Sequence, residues 1–569
     1  MIAKVAPLMR LPGGKDIFDY FVPPDMEAAI RPGHLVKIPF RSQKTLGVVL
    51  ALAPRQESTN YRARPIDSFA EEAPILTPAQ LRLIAEFSEY YFVTQPSIAR
   101  IMVPDKPERT GRPKPRQLPD IRFSVSPRQI PKLKEAAQSF PNNGIIRIQD
   151  VSSFVWLVLH LAKQHAQSQI LVLVPTIEML EAIGASIIKA HPKNVAAIHS
   201  RLSKTEYWNQ YKRVLSGEAC IILSTRQGVF LPIQNNSHII FFDSTSQDFK
   251  QDEQHPRYDS RIAALWLARH TQSKLLYASS SETIRRVSSP VPELPSARTA
   301  GVRVSLVDMK NEMQRKDFSI VAGLSLESIK DCHGRGKKIV VIALREESEK
   351  GVSVNAVFDI LTTELKSCKV SKDLNDFDVL IGTPQALEGL KLSQERGKLG
   401  LLVFASIEPL LAISDYRSAE RAYYRLMHWR MLARELGFER VMLQSYTPEL
   451  AAVRAFAYGE FDAFKKQELK NRKELNYPPY SKLIKLSYRG KDAEKDVKAA
   501  STLLGGGDAY NKSNAAAKER PRRSHIMGPF TGADKKQSFI IKLSEGVATP
   551  RLASLGPDWS IDRDPENIL

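Results

Sequence analysis

Asp243 stands at the end of an apolar run, HIIFF (238–242), that reads as a short buried strand. In nucleotide hydrolases of the P-loop type an Asp at such a strand end holds magnesium, and an acidic neighbour activates water. Here the next residues are Ser244, Thr245 and Ser246. Their hydroxyls cannot act as general bases near neutral pH without a strong activating partner. The stretch HIIFFDSTSQDFKQDEQHPRYDSR (238–261) is therefore either a metal site or what remains of one. A matching phosphate loop needs glycines for close backbone approach, a Lys for the β/γ oxygens and a Ser or Thr for magnesium. GRGKK (334–338) has the composition, but it precedes a strand instead of joining strand to helix, so it reads as a turn with solvated charges.

Other residues suit a polyanion. Thr225 and Arg226 end one strand, and Gly382 and Thr383 another, so their polar groups face the mouth where open sheets bind ligands. Short hydroxyls, backbone N–H groups and Arg suit phosphate contacts that position a strand without reading its sequence; ordinary strand-end turn chemistry is the alternative. In Phe18-Asp19-Tyr20 an aromatic can stack on a terminal base and the carboxylate can accept from a sugar hydroxyl, with core packing the alternative. The 11 His form no HxxxH or His–Cys grouping. Cys220, Cys332 and Cys368 are far apart with no CxxC pair, which argues against a disulfide framework and a Cys-ligated zinc.

The elements that must position these residues fall into blocks. HLVKIPF (34–40) and TLGVVLALAP (45–54) read as strands, and TPAQLRLIAEFSEYYFV (77–93) as a Thr-capped helix. PDKPERTGRPKPRQLPD (104–120) is too rich in Pro and charge to pack, hence a stiff basic linker. QILVLVP (169–175), ACIILST (219–225), HIIFFD (238–243) and KLLYASS (274–280) then alternate with helical stretches. KKIVVIAL (337–344), FDVLIGT (377–383) and LGLLVFAS (399–406) form a second series. Both series have the signature of parallel sheets with crossover helices, giving two lobes with a cleft between them. A final region from near 455 contains a basic linker, GGGDAYNKSNAAAKERPRRSH (505–525), and a strand-rich close.

The chain has 569 residues, too many for one core. Its 82 Lys and Arg against 62 Asp and Glu leave a net charge of +20, which favours nucleic acid as partner. The first residues, MIAKVAPLMRLPGGKD, do not read as a signal peptide, and no run of about 18 apolar residues suggests a membrane span. The expectation is a cytoplasmic, nucleoid-associated protein.

Several fragments in order resemble one family, the bacterial replication-restart helicases called primosomal protein N′ (PriA): FDYFVP (18–23), VKIPF (36–40), GVVL (47–50), RPI (64–66), VSPRQ (125–129), VLVPTIEML, IHSRLS, ILSTRQGVFLPI, KQDEQHPRYDSR, VLIGTPQALEG, DYRSAER, ELNYPPYSKL and DRDPENIL. The resemblance covers nearly the whole chain. It implies a 3′ DNA-binding domain over 1–105, a linker over 106–125, helicase-like RecA-type lobes of superfamily 2 over 126–300 and 301–450, and an α+β domain over 451–569. It implies ATP and magnesium as family cofactors, and as partners branched or 3′-ended DNA and replication-restart proteins. The family's 3′-end pocket falls on Phe18, Asp19 and Tyr20, with Arg64 where relatives carry Lys; Arg41 replaces a Gly that usually follows "VPF".

Against that resemblance the nucleotide motifs depart. The loop positions for Gly, Lys and Thr fall on Val151, Ser152 and Ser153, and its first Gly on Ile146. The family's Asp-Glu-Glu-His is Asp243-Ser244-Thr245-Ser246, and its Ser-Ala-Thr is Ser279-Ser280-Ser281. Its two cleft arginines fall on Leu432 and Glu435, with Arg430 and Arg434 out of register, and Glu388 stands where relatives are basic. The zinc-binding insert is missing between about 345 and 375, and a winged-helix segment is missing too. Asp243, Ser152 and Ser153 are thus expected to be vestigial, with no catalytic residue, bound metal or cofactor. The expectation is a fork-binding protein without helicase turnover; an active 3′–5′ helicase with divergent motifs, and a protein-interaction scaffold of the same fold, are the alternatives.

Overall fold

The computed structural model describes the chain except residues 10–15, 55–62, 108–124, 126–129, 139–142, 149, 192, 282, 285–301, 317, 349–350, 391–397, 413–414, 489, 491–524, 532–536, 545–551, 553–554, 556–557, 567 and 569. Most of the expected linker over 106–125, most of VSPRQ and most of the basic stretch 505–525 fall outside the described residues.

The N-terminal sheet is antiparallel and joins β1 (Ile2–Pro7), β2 (Phe18–Phe21), β3 (Leu35–Phe40), β4 (Gln43–Ala53) and β5 (Ser68–Phe69) in the order β2-β1-β4-β3-β5. The helix Pro78–Tyr91 begins at Thr77, whose hydroxyl accepts from Gln80 N at 3.2 Å while Gln80 Oε1 accepts from Thr77 N at 2.9 Å. That reciprocal cap satisfies two donors the helix cannot satisfy itself. Its buried face carries Leu83, Ile84 and Phe87, at the i, i+1, i+4 spacing of one helical face. Phe87 packs on Phe230 and Trp266, with ring centroids 5.2 Å from each, and so joins this domain to the first lobe.

The first lobe is a parallel sheet of β6 (Asn143–Arg147), β7 (Ile170–Leu173), β8 (Val195–Ile198), β9 (Ile221–Ser224), β10 (His238–Phe241) and β11 (Lys274–Ser279), ordered β6-β11-β10-β7-β9-β8. β12 (Arg303–Asp308), β13 (Lys338–Ile342), β14 (Val370–Ser371), β15 (Val379–Gly382), β16 (Leu399–Phe404) and β17 (Arg440–Ser445) form the second, ordered β12-β17-β16-β13-β15-β14. Numbered from its own first strand, each sheet has the order 1-6-5-2-4-3, so the lobes are two copies of one RecA-like α/β architecture. β7, β9 and β10 are buried at every position, as strands covered by helices on both faces must be. One hydrophobic cluster runs through both lobes, from Phe154 and Phe242 in the first to Phe404 and Trp429 in the second.

The C-terminal region is α+β: an antiparallel sheet of β18 (Ser481–Tyr488), β19 (His525–Thr531), β20 (Gln537–Ser544) and β21 (Trp559–Arg563), ordered β19-β20-β18-β21, preceded by the helix Phe461–Glu474. Among the described residues no helix is long and apolar enough to cross a membrane.

Candidate functional site: the interlobe cleft and the N-terminal pocket

The C-terminal ends of β7, β10 and β11 open into a cleft of ≈ 1910 Å³ lined by both lobes and the C-terminal region. Asp243 lies just beyond β10, buried and in a left-handed backbone conformation (φ 50°). Asp tolerates that conformation better than most residues. Its Oδ1 accepts from Thr245 Oγ1 at 3.2 Å, and its Oδ2 lies 2.8 Å from His428 Nδ1. On the other side of the ring, Nε2 is 3.6 Å from Glu388 Oε1. Burial alone would lower the His428 pKa, but the bonds to Asp243 and Glu388 outweigh it and push it up to about 9. The group is an imidazolium between two carboxylates near neutral pH. The Ser-Thr-Ser turn is braced from behind by Arg261, whose Nη1 donates to the carbonyls of Ser244 (3.2 Å) and Ser246 (3.1 Å).

The resemblance places a phosphate loop at the start of the helix Val151–Gln164. The first N–H groups of a helix have no intrahelical partner and attract anions. Asp150 caps this end: Oδ1 accepts from Ser153 N at 2.7 Å and Oδ2 from Ser153 Oγ at 3.0 Å. A second carboxylate arrives from the other lobe, where Glu435 Oε1 accepts from Val151 N at 2.8 Å. Ser153 is buried and bonded to the cap, Ser152 is half-buried, and Ile146 lies in β6 at 2% exposure. Ser279, Ser280 and Ser281 are buried in a turn closed on itself, with Ser279 Oγ donating to the Ser281 carbonyl.

Glu435, His428 and Tyr424 all belong to the helix Ser418–Leu436. Spacings of four and seven put them on one face, and that face meets the first lobe. Leu432 is instead fully buried in the second lobe's core. Arg430 turns inward to the Val302 carbonyl (3.1 Å). Arg434, expected to be out of register, has its Nη2 3.9 Å from Asp150 Oδ2 of the first lobe. Neighbouring residues of this helix thus face the same helix start with opposite charges, Glu435 at Val151 N and Arg434 beside Asp150.

In the N-terminal sheet the pocket residues separate. Along a strand side chains alternate between faces, so Phe18 and Tyr20 point to the core side and Asp19 is exposed. Tyr20 is only 4% exposed and its hydroxyl donates to the Pro39 carbonyl at 3.1 Å. The expectation that Tyr20 stacks on a base is therefore corrected: its ring is part of the core. Phe18 is half-buried, edge-on to Phe40 with centroids 5.1 Å apart. Arg64 Nη1 donates to the Arg41 carbonyl at 2.9 Å, and the Arg41 guanidinium carbon lies 5.8 Å from the Phe40 ring centre. Phe18, Arg41 and Arg64 thus gather around Phe40. Arg41 has φ 54°, a left-handed conformation in which Gly is least costly. A non-glycine there costs roughly 1–2 kcal/mol.

Thr225 and Thr383 occupy equivalent places, each following the fourth strand of its sheet. Thr225 precedes the 3-10 helix Arg226–Phe230, with Arg226 Nη1 at 3.4 Å from the Asp248 carbonyl. Gly382 ends β15, where a Cβ would lie 3.0 Å from that of Ala386. Thr383 Oγ1 donates to Gln385 Oε1 at 2.6 Å at the start of the helix Gln385–Leu390. All four positions are half-buried at the ends of parallel strands, and the structure brings them to corresponding rims of two lobes, not to one pocket.

Sequence reasoning missed a charged hub at the other end of the cleft. Lys250 Nζ and Asp562 Oδ1 form a buried pair at 2.9 Å, with side chains 1% and 5% exposed. Tyr90 donates to Asp564 Oδ2 at 2.8 Å, Arg417 Nη1 lies 2.8 Å from Glu566 Oε2, and Ile568 N donates to Asp415 Oδ2 at 3.1 Å. Arg472 joins Glu420 and Glu468, each at 2.8 Å. Tyr416 stacks on Tyr477, with centroids 4.7 Å apart. The fragments KQDEQHPRYDSR, DYRSAER, ELNYPPYSKL and DRDPENIL, scattered in sequence, meet here. The available signal was their density of charge beside Tyr and Pro, though not their mutual contact.

The family model described as the "3'DNA-binding domain (3'BD)" of PriA matches residues 8–104. The "Replication restart protein PriA" of Synechocystis sp. is 25% identical, with 68% of this chain and 58% of that protein covered. The protein of the same name from Bacillus subtilis is 22% identical, covering 63% and 53%, and that from Chlamydia muridarum is 20% identical, covering 86% and 87%. The chain thus spans little more than half the length of the first two relatives. A solved structure of RecG bound to a three-way DNA junction is 13% identical with a TM-score of 0.36, covering 62% of this chain and 47% of that one, a likeness too low to carry an argument.

Proposed function

We propose that this chain is a divergent member of the PriA family, a replication-restart DNA-binding protein that recognises forked or 3′-ended DNA without nucleotide-driven unwinding. The observation that carries the reading is Glu435: a carboxylate of the second lobe bonds the Val151 N–H, where a motor receives phosphate and sets a cation against it. The residues of the cleft do not fit magnesium and ATP. Asp243 is already paired with His428, two carboxylates meet the helix start, and none of the residues aligned with the phosphate loop is a Lys or Gly. Loss of one transition-state cation in phosphoryl transfer can cost about three to five orders of magnitude.

DNA recognition rests on the N-terminal sheet and the lobe rims. Phe18 supplies a partly open aromatic edge, Asp19 an exposed carboxylate for a sugar hydroxyl, and Arg41 and Arg64 two cations beside them. Thr225, Arg226, Gly382 and Thr383 offer backbone and hydroxyl contacts to phosphates at corresponding points of the two lobes. The +20 net charge gives the encounter its sign. Restart proteins are the matching protein partners, and the chain works on the nucleoid, in the cytoplasm, without zinc.

The test is binding of the full chain to a fork with a 3′ end at the branch, titrated over salt, beside DNA-stimulated ATP hydrolysis. Fork affinity falls steeply with salt as counterions are released, and hydrolysis stays at background. Salt-insensitive or absent fork binding overturns the DNA reading. Robust hydrolysis lost in Asp243→Ala overturns the static one.

A further inference from the structure

In a two-lobed motor the lobes close when phosphate oxygens fill the N-terminus of the first lobe's leading helix and cations of the second lobe reach them. In this chain the same gap is already bridged by protein groups. Glu435 Oε1 accepts the Val151 N–H at 2.8 Å, and Arg434 Nη2 lies 3.9 Å from the Asp150 cap. Two turns back along that face, His428 sits between Asp243 of the first lobe (2.8 Å) and Glu388 of its own lobe (3.6 Å). One turn further, the Tyr424 hydroxyl accepts from Ile284 N at 2.8 Å. The apolar core is continuous beneath these contacts.

We propose that Glu435 and His428 form a standing clasp in which protein carboxylates take the place of a nucleotide's phosphates, holding the two lobes closed without nucleotide. The charges are complementary at each point: a carboxylate at the positive end of a helix, a guanidinium near the capping carboxylate, an imidazole between carboxylates. A polyphosphate at the start of the helix Val151–Gln164 would meet Asp150 and Glu435, both of its own sign. The clasp extends the reading of a cleft without turnover, but it is read out without DNA, so failure of fork binding leaves it standing.

The Val151 amide gives a specific probe, because the first N–H of a helix has no intrahelical partner and its protection depends on Glu435. Hydrogen exchange of the full-length protein is followed at residues 151–155, with small-angle scattering beside it, with and without magnesium and AMP-PNP. In the wild type neither exchange nor the radius of gyration changes on adding the analogue. In Glu435→Ala the Val151 amide exchanges at least ~10-fold faster while β7 and β10 keep their protection. In Glu435→Lys combined with His428→Ala the radius of gyration increases. Compaction of the wild type by AMP-PNP overturns the clasp, as does wild-type exchange at Val151 in Glu435→Ala. If the variants do not fold, the wild-type comparison decides alone.

Discussion

Around the start of the helix Val151–Gln164, Asp150 and Glu435 put carboxylates at positions where the proposed reading expects a motor's phosphate loop, and Asp243 is paired with His428. At the other end of the cleft, Lys250, Arg417 and Arg472 are each matched to a carboxylate inside a buried hub. Four of the fragments that resemble the family meet in the hub, whereas the departures expected from that resemblance fall around Asp243 and Val151. Physical cost accounts for the contrast. A catalytic cation or base contributes to the empty protein's stability only weakly, so it can be exchanged while the fold stands. A buried ion pair that loses one partner leaves an uncompensated charge in a low-dielectric interior. The hub ties the helix Pro78–Tyr91, both lobes and the C-terminal strand β21 together, so its loss is felt everywhere.

The largest effect expected is therefore at the hub. Lys250→Met or Arg417→Met should destabilise the protein by about 3–5 kcal/mol, read as a lowered urea midpoint. A shift no larger than that of an exposed pair, such as Lys44→Met at the Lys44–Asp67 contact, would remove the distinction.

The engine side should respond to pH. The folded pKa of His428 is raised to about 9, above an unfolded value of about 6.5. Its stabilisation is then fully present below pH ~6.5 and lost as pH rises towards ~9, on the order of 3 kcal/mol across the window. Urea midpoints at intervals over that range should fall in the wild type and stay flat in His428→Gln. Equal slopes in both proteins would contradict the paired imidazolium.

Smaller still are the effects on DNA. Arg64→Ala should weaken fork binding by about 1–2 kcal/mol and reduce the log–log salt slope by roughly one. Phe18→Ala should cost about 1–3 kcal/mol of binding if the ring carries one stacked base. Tyr20→Phe removes only a hydroxyl bonded to Pro39 and should leave binding unchanged, measured by fluorescence anisotropy on the same fork. A Tyr20→Phe loss as large as that of Phe18→Ala would return Tyr20 to the binding surface.

The sequence was most legible where burial is complete. β7, β9, β10, β13, β15 and β16 are predominantly apolar runs, and the helix after Thr77 carries its own capping signal. Strands at sheet edges were not read: β12 is half-buried at most positions, and β6 was expected as the place of a phosphate loop. In the triplet Phe18-Asp19-Tyr20, residue types suggested one binding surface, but the two-residue period of a strand put Tyr20 in the core. The departures expected at the nucleotide motifs are read position by position from the resemblance. The contacts made there could not be read so, because Glu435 meets Val151 across 284 residues and His428 meets Asp243 across 185. No local pattern encodes a contact that exists only when two lobes come together.

The central proposal is that the protein's own charges engage the Val151 N–H and Asp243, so that no nucleotide binds between the lobes. Calorimetric titration of the full-length protein with magnesium and ATP, with and without fork DNA, tests it most directly. The account predicts no saturable heat up to millimolar nucleotide while the fork still binds. Saturable micromolar binding of ATP, weakened in Asp243→Ala, would contradict it.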